Sequence, residues 1–116
     1  ERSFVTYSNE AKSQMVGVSE ATLLDNGAVS EPVVIEMAIG ALRAARATYA
    51  VSVSGIAGPD GGSAEKPVGT VWFGVACASG QGVTRRECFA GDRDAVRRQA
   101  TAYALNLLWQ QFLQNT

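Results

Sequence analysis

Tyr7 and Lys12 stand five residues apart, where a strand-like run, Phe4-Val5-Thr6-Tyr7, gives way to a helix-like one over Asn9 to Met15. A phenol and an amine at that spacing across a strand–helix junction can converge on one pocket. The chain has no histidine, so a Ser-His-Asp triad, a Cys-His dyad and the usual zinc sites are excluded within it. A lysine whose pKa is lowered by partial burial can then serve as general base, with a tyrosine to relay or donate a proton. The plain alternative is a solvated first-turn lysine beside a half-buried strand aromatic.

A second concentration of chemistry is the loop Gly55-Ile56-Ala57-Gly58-Pro59-Asp60-Gly61-Gly62-Ser63-Ala64-Glu65-Lys66-Pro67-Val68-Gly69. Five glycines and two prolines in fifteen positions rule out a helix or a regular strand. The backbone N–H groups of Gly55, Ala57, Gly58, Gly61 and Gly62 can cradle an anionic or amide-bearing ligand, and Ser54 and Ser63 can hydrogen-bond to it. Turn chemistry at Pro59-Asp60-Gly61-Gly62 in a long β-connection accounts for the same residues. The spacing fits neither a dinucleotide fingerprint nor a phosphate-binding Walker loop, because Lys66 is followed by proline. Asp60 and Glu65 alone make a poor cation site, and no metal is expected. Arg93 suits a phosphate contact, or an ion pair with Asp92, Asp94 or Glu87.

The elements that must position these groups follow from periodicity. Ser19 to Leu24 reads as a short helix ended by Asn26-Gly27, and Ser30 caps a longer one with Val34, Met37, Ala38, Ala41, Leu42 and Ala45 along one face. The period then changes. Thr48 to Ser54 alternates as a strand that leads into the glycine loop, and Val68–Ala78 with Val83–Phe89 form an antiparallel hairpin around Gly80-Gln81-Gly82. Gly91-Asp92 opens a last helix whose apolar set is Val96, Ala100, Tyr103, Leu107, Leu108 and Phe112. Trp72 and Trp109 read as core or interface aromatics. The sum is an α/β fold: a three-layer mixed sheet flanked by helices, forming one domain over residues 1–116. Because the chain enters a strand within a few residues of Glu1, the domain is expected to lack an N-terminal strand and helix.

Composition bounds the function. With 116 residues, 47% hydrophobic and 18% charged, the chain can bury one sizeable core. No run of residues has the length and apolarity of a membrane span, and a net charge of −1 gives no general attraction to nucleic acid. Arg85, Arg86, Arg93, Arg97 and Arg98 hold half the basic residues, either as a phosphate patch or as a solvated helix face. Cys77 and Cys88 lie on adjacent strands; the turn taken above sets Cys77 opposite Arg85, so the thiols need not meet. Two such thiols without a disulfide framework suit a reducing cytoplasm. Trp109, Phe112 and Leu113 on an apolar helix predict self-association, with a dimer favoured.

The segments Phe4 to Lys12, Gly27-Ala28-Val29-Ser30, Ser54 to Gly62 with Lys66-Pro67-Val68-Gly69, and Gly91-Asp92-Arg93 through Arg97 occur in order. Together they resemble the C-terminal domain of competence/damage-inducible proteins, the nicotinamide-nucleotide amidase family, along essentially the whole chain. The resemblance implies hydrolysis of the carboxamide of nicotinamide mononucleotide to nicotinate mononucleotide and ammonia, with no metal or cofactor. It implies an attacking serine assisted by a lysine, at the position of Lys12, with a tyrosine nearby, at the position of Tyr7. Ser54 and the loop N–H groups would then bind substrate and stabilise the oxyanion, and Arg93 of the Gly-Asp-Arg motif would contact substrate or phosphate. One departure is plain. The family's serine sits in a Glu-Ser-Cys-Thr-Gly-Gly-like segment, and no such segment occurs in these residues; Ser8, Ser13 and Ser30 read as turn or cap residues. A non-catalytic nucleotide-binding or interaction module is the alternative.

Overall fold

The computed structural model describes residues 17–80 and 82–114, excluding the side chains of 112–114. Helix α1 spans Glu20–Asn26. Ser19 Oγ accepts from Thr22 N–H at its start, and Gly27, at φ 76°, ends it, a position where the missing Cβ removes the left-handed penalty. Helix α2 spans Glu31–Ala45, with Pro32 in its first turn and Arg46 left-handed at its end; proline suits that turn because its absent N–H has no helical acceptor to lose. Ser30 occupies the cap position, but its hydroxyl donates to Gly27 O instead of accepting from the helix.

Strands β1 (Tyr49–Gly55), β2 (Thr70–Cys77) and β3 (Gly82–Cys88) form an antiparallel sheet in that order, with Val53 opposite Phe73 and Phe73 opposite Arg85. Helix α3, Arg93–Gln114, follows. Its first turn is capped by Asp92, whose Oδ1 accepts from Ala95 N–H at 2.9 Å. The central strand β2 is buried on both sides, so it reads as a continuous apolar run. On one face Val71, Phe73 and Val75 pack against Val96, Ala100, Ala104 and Leu107 of α3. On the other face α2 lies close enough that a Cβ at Gly74 would meet Val34 O at 2.6 Å, and Ser52 Oγ donates to that same carbonyl. The result is a helix–sheet–helix sandwich, the three layers expected. Beyond it, Val33 of α2 closes a second cluster with Val18 and Leu23.

Several expectations change in detail. The hairpin turn closes at Cys77–Gly80, with Gly80 N–H on Cys77 O, so Arg85 faces Phe73 and not Cys77. Cys77 pairs with Tyr49 and Cys88 with Thr70, so the two thiols do not face each other across the sheet. Val33 and Ala104 join the core beside the anticipated residues, while Val53 is 39% exposed because β1 is an edge of the described sheet. All described pairings are antiparallel; the expected strand Phe4–Tyr7 and the helix from Asn9 lie outside the described residues.

Candidate active site

The glycine loop joins β1 to β2 and is sewn shut at its base. Ile56 N–H donates to Thr70 O at 2.9 Å, Gly69 N–H to Ile56 O at 2.7 Å, and Phe89 N–H to Gly69 O at 2.9 Å. These bonds prolong the ladder past the ends of the strands, so the loop leaves a rigid frame. Gly69 has to be glycine here: its φ is 97° and a Cβ would meet Phe89 O at 2.1 Å.

Inside the loop, the Val68 side chain fills the space that glycines leave. A Cβ at Gly58 would lie 2.5 Å from Val68 Cγ1, one at Gly62 2.7 Å from Val68 N, and one at Gly55 2.8 Å from Val71 Cγ2. Only Gly61, at φ 97°, faces near-open space, 3.6 Å from Ile56 Cγ2. Three of the four glycines named as a cradle are therefore required by packing, and the sequence could not show this because the atoms filling the space come from later residues. Among the described residues the N–H groups of Ala57, Gly58, Asp60, Gly61 and Gly62 have no hydrogen-bond acceptor within the protein. A row of unpaired donors on a fixed backbone suits a carbonyl, oxyanion or phosphate oxygen.

Three cations hold the loop from different sides. Arg93, at the start of α3, donates Nη1 to Gly58 O at 3.1 Å; Arg86 of β3 reaches Glu65 O at 3.4 Å; Lys66 Nζ donates to Asn26 O at 2.8 Å. Arg93 thus touches the loop that was expected to bind substrate, and its remaining guanidinium donors are available to an anion. Ser54 Oγ donates to Ala28 O at 2.8 Å; with its hydrogen so used, the oxygen offers a substrate lone pairs. Ser63 closes the loop's outer turn, its N–H on Lys66 O and its Oγ accepting from Lys66 N–H. Asp60 and Glu65 are exposed, and no group of three metal-ligating side chains occurs among the described residues. Tyr7 and Lys12 lie outside the described residues. The roles of Arg86 and Lys66 were not legible in the sequence, because they depend on which carbonyls the fold brings beside them.

The CinA C-terminal domain family matches residues 1–112. The chain belongs to that family. This CinA domain is 81% identical over all 116 residues to the nicotinamide-nucleotide amidohydrolase PncC of Escherichia coli K12, and spans 70% of that protein. Among solved structures, it resembles the competence/damage inducible protein CihA of Agrobacterium tumefaciens at TM-score 0.90 and 44% identity, over 92% of this chain and 66% of that one. The competence damage-inducible protein A of Klebsiella pneumoniae follows at TM-score 0.87 and 45% identity, over 93% and 66%. The chain thus spans about two thirds of these solved relatives. No described helix is long and apolar enough to cross a membrane.

Proposed function

We propose that this domain forms part of an amidohydrolase site that converts nicotinamide mononucleotide to nicotinate mononucleotide and ammonia. The observation that carries the reading is the 81% identity over all 116 residues to a nicotinamide-nucleotide amidohydrolase. Lys12, neutral at the moment of attack, accepts the proton of a serine supplied from outside these residues, and Tyr7 assists the transfer. The serine oxygen attacks the carboxamide carbon. Loop N–H groups between Ala57 and Gly62 receive the oxyanion or the phosphate, and Arg93 supplies positive charge at the loop's inner edge. Ammonia departs after protonation, and water resolves the ester. A cytoplasmic setting and a dimer joined through α3 belong to the same reading.

The test is ammonia release from nicotinamide mononucleotide by the full-length protein. Lys12→Ala is expected to lower the rate by about a thousandfold while leaving the circular dichroism spectrum unchanged. An active Lys12→Ala enzyme overturns the assignment.

A further inference from the structure

The geometry points to Lys66 as a positioning residue that fixes the outer arm of the glycine loop against the α1–α2 junction. Helix α1 has an acidic residue in its first turn and no basic residue in its last. Its C-terminal carbonyls, which carry the negative end of the helix dipole, need donors. Lys66 supplies one from 40 residues away, its ammonium 2.8 Å from Asn26 O. The approach is close on both sides, because a Cβ at Gly27 would lie 3.3 Å from Nζ.

The rest of the junction is tied in the same manner. Ser30 donates to Gly27 O and Ser54 to Ala28 O, so three successive carbonyls, of residues 26, 27 and 28, each receive a side chain. Two of the three donors, Ser54 and Lys66, come from the ends of the segment that carries the loop. Lys66 is itself held, since its N–H and C=O both bond to Ser63. The ammonium therefore joins a closed turn to a helix end, and the stretch from Ala57 to Gly62 is stretched between that turn and the strand ladder.

The proposal rests on the amidase reading only in taking that stretch to hold substrate. Taken as the holder of the substrate's phosphate, which is the same in ground state and transition state, the stretch acts on KM more than on kcat; a role at the oxyanion would instead lower kcat. Lys66→Met keeps the aliphatic volume and removes the charge; Lys66→Arg keeps a cationic donor. In the full-length protein, Lys66→Met is expected to raise KM for nicotinamide mononucleotide about tenfold with kcat nearly unchanged, and Lys66→Arg to recover most of the loss. Hydrogen exchange gives an independent reading: the amides of Ser63 and Lys66 should exchange faster in Lys66→Met, with those of β2 and β3 unaltered. Unchanged exchange at those two amides overturns the clasp, and faster exchange with unchanged KM overturns its effect on substrate binding. If the unaltered protein releases no ammonia, the amidase reading fails, and the exchange comparison alone decides whether Lys66 holds the loop.

Discussion

Gly58 and Gly61 sit three residues apart with similar positive φ, 87° and 97°, yet only Gly58 has a neighbour in the place of its Cβ. Alanine at Gly61 meets backbone strain alone, about 1–2 kcal/mol. Alanine at Gly58 adds a collision with Val68 and should cost about 2–4 kcal/mol. Urea unfolding of the two variants checks the difference, and Val68→Ala should relieve part of the Gly58→Ala loss while doing nothing for Gly61→Ala. Equal losses at the two glycines would show that Val68 does not fill the loop. At this scale the residue types were legible, since turn chemistry and a shaped loop follow from Gly and Pro. The partners were not. That Ser54 donates to Ala28 O, or that Arg93 reaches Gly58 O 35 residues away, depends on chain crossings that local pattern does not encode.

The elements were more legible than their register. Ser19, Gly27, Ser30 and Asp92 mark helix ends by local hydrogen bonding and backbone freedom, and the structure uses each at a helix boundary. The hairpin turn was misplaced because Ser79-Gly80 and Gly80-Gln81-Gly82 both offer turn residues, and only the packing of β2 chooses between them. That choice places Arg85 and Glu87 beside Tyr103 of α3, whose ring lies 4.4 Å from Phe73 by centroids and edge-on to Phe89. Burial first, then the Glu87 carboxylate, raises the Tyr103 phenol above its ordinary 10.0. The native state therefore holds that proton more tightly than the unfolded chain. The associated stability is fully present below pH 10 and is lost as pH climbs from there through the raised native value. Tyr103→Phe should flatten this alkaline decline, and thermal unfolding from pH 8 to 11 measures it; parallel curves for the two proteins would remove Tyr103 as the cause.

For the whole molecule, layering accounts for what is buried and for what is left outside. The core of α3 uses Val96, Ala100, Ala104 and Leu107, while Leu105 and Trp109, four residues apart, are 62% and 59% exposed on its other side. Residues at that spacing share a helix face, and this one suits the dimer proposed above. Leu105→Glu should weaken self-association at least about tenfold in sedimentation while leaving the circular dichroism spectrum unchanged, whereas an unaltered dimer would place the contact elsewhere. The two faces of β2 carry a last consequence. Phe73 fills a hollow beneath α3, while its neighbour Gly74 lets the α2 backbone come to rest on the strand. Sliding β2 by one position would turn a bulky side chain toward α2 and leave a void under α3, so neither helix could dock. Helix docking thus selects the strand register, since a hairpin slipped by one position could accept neither helix in its native place.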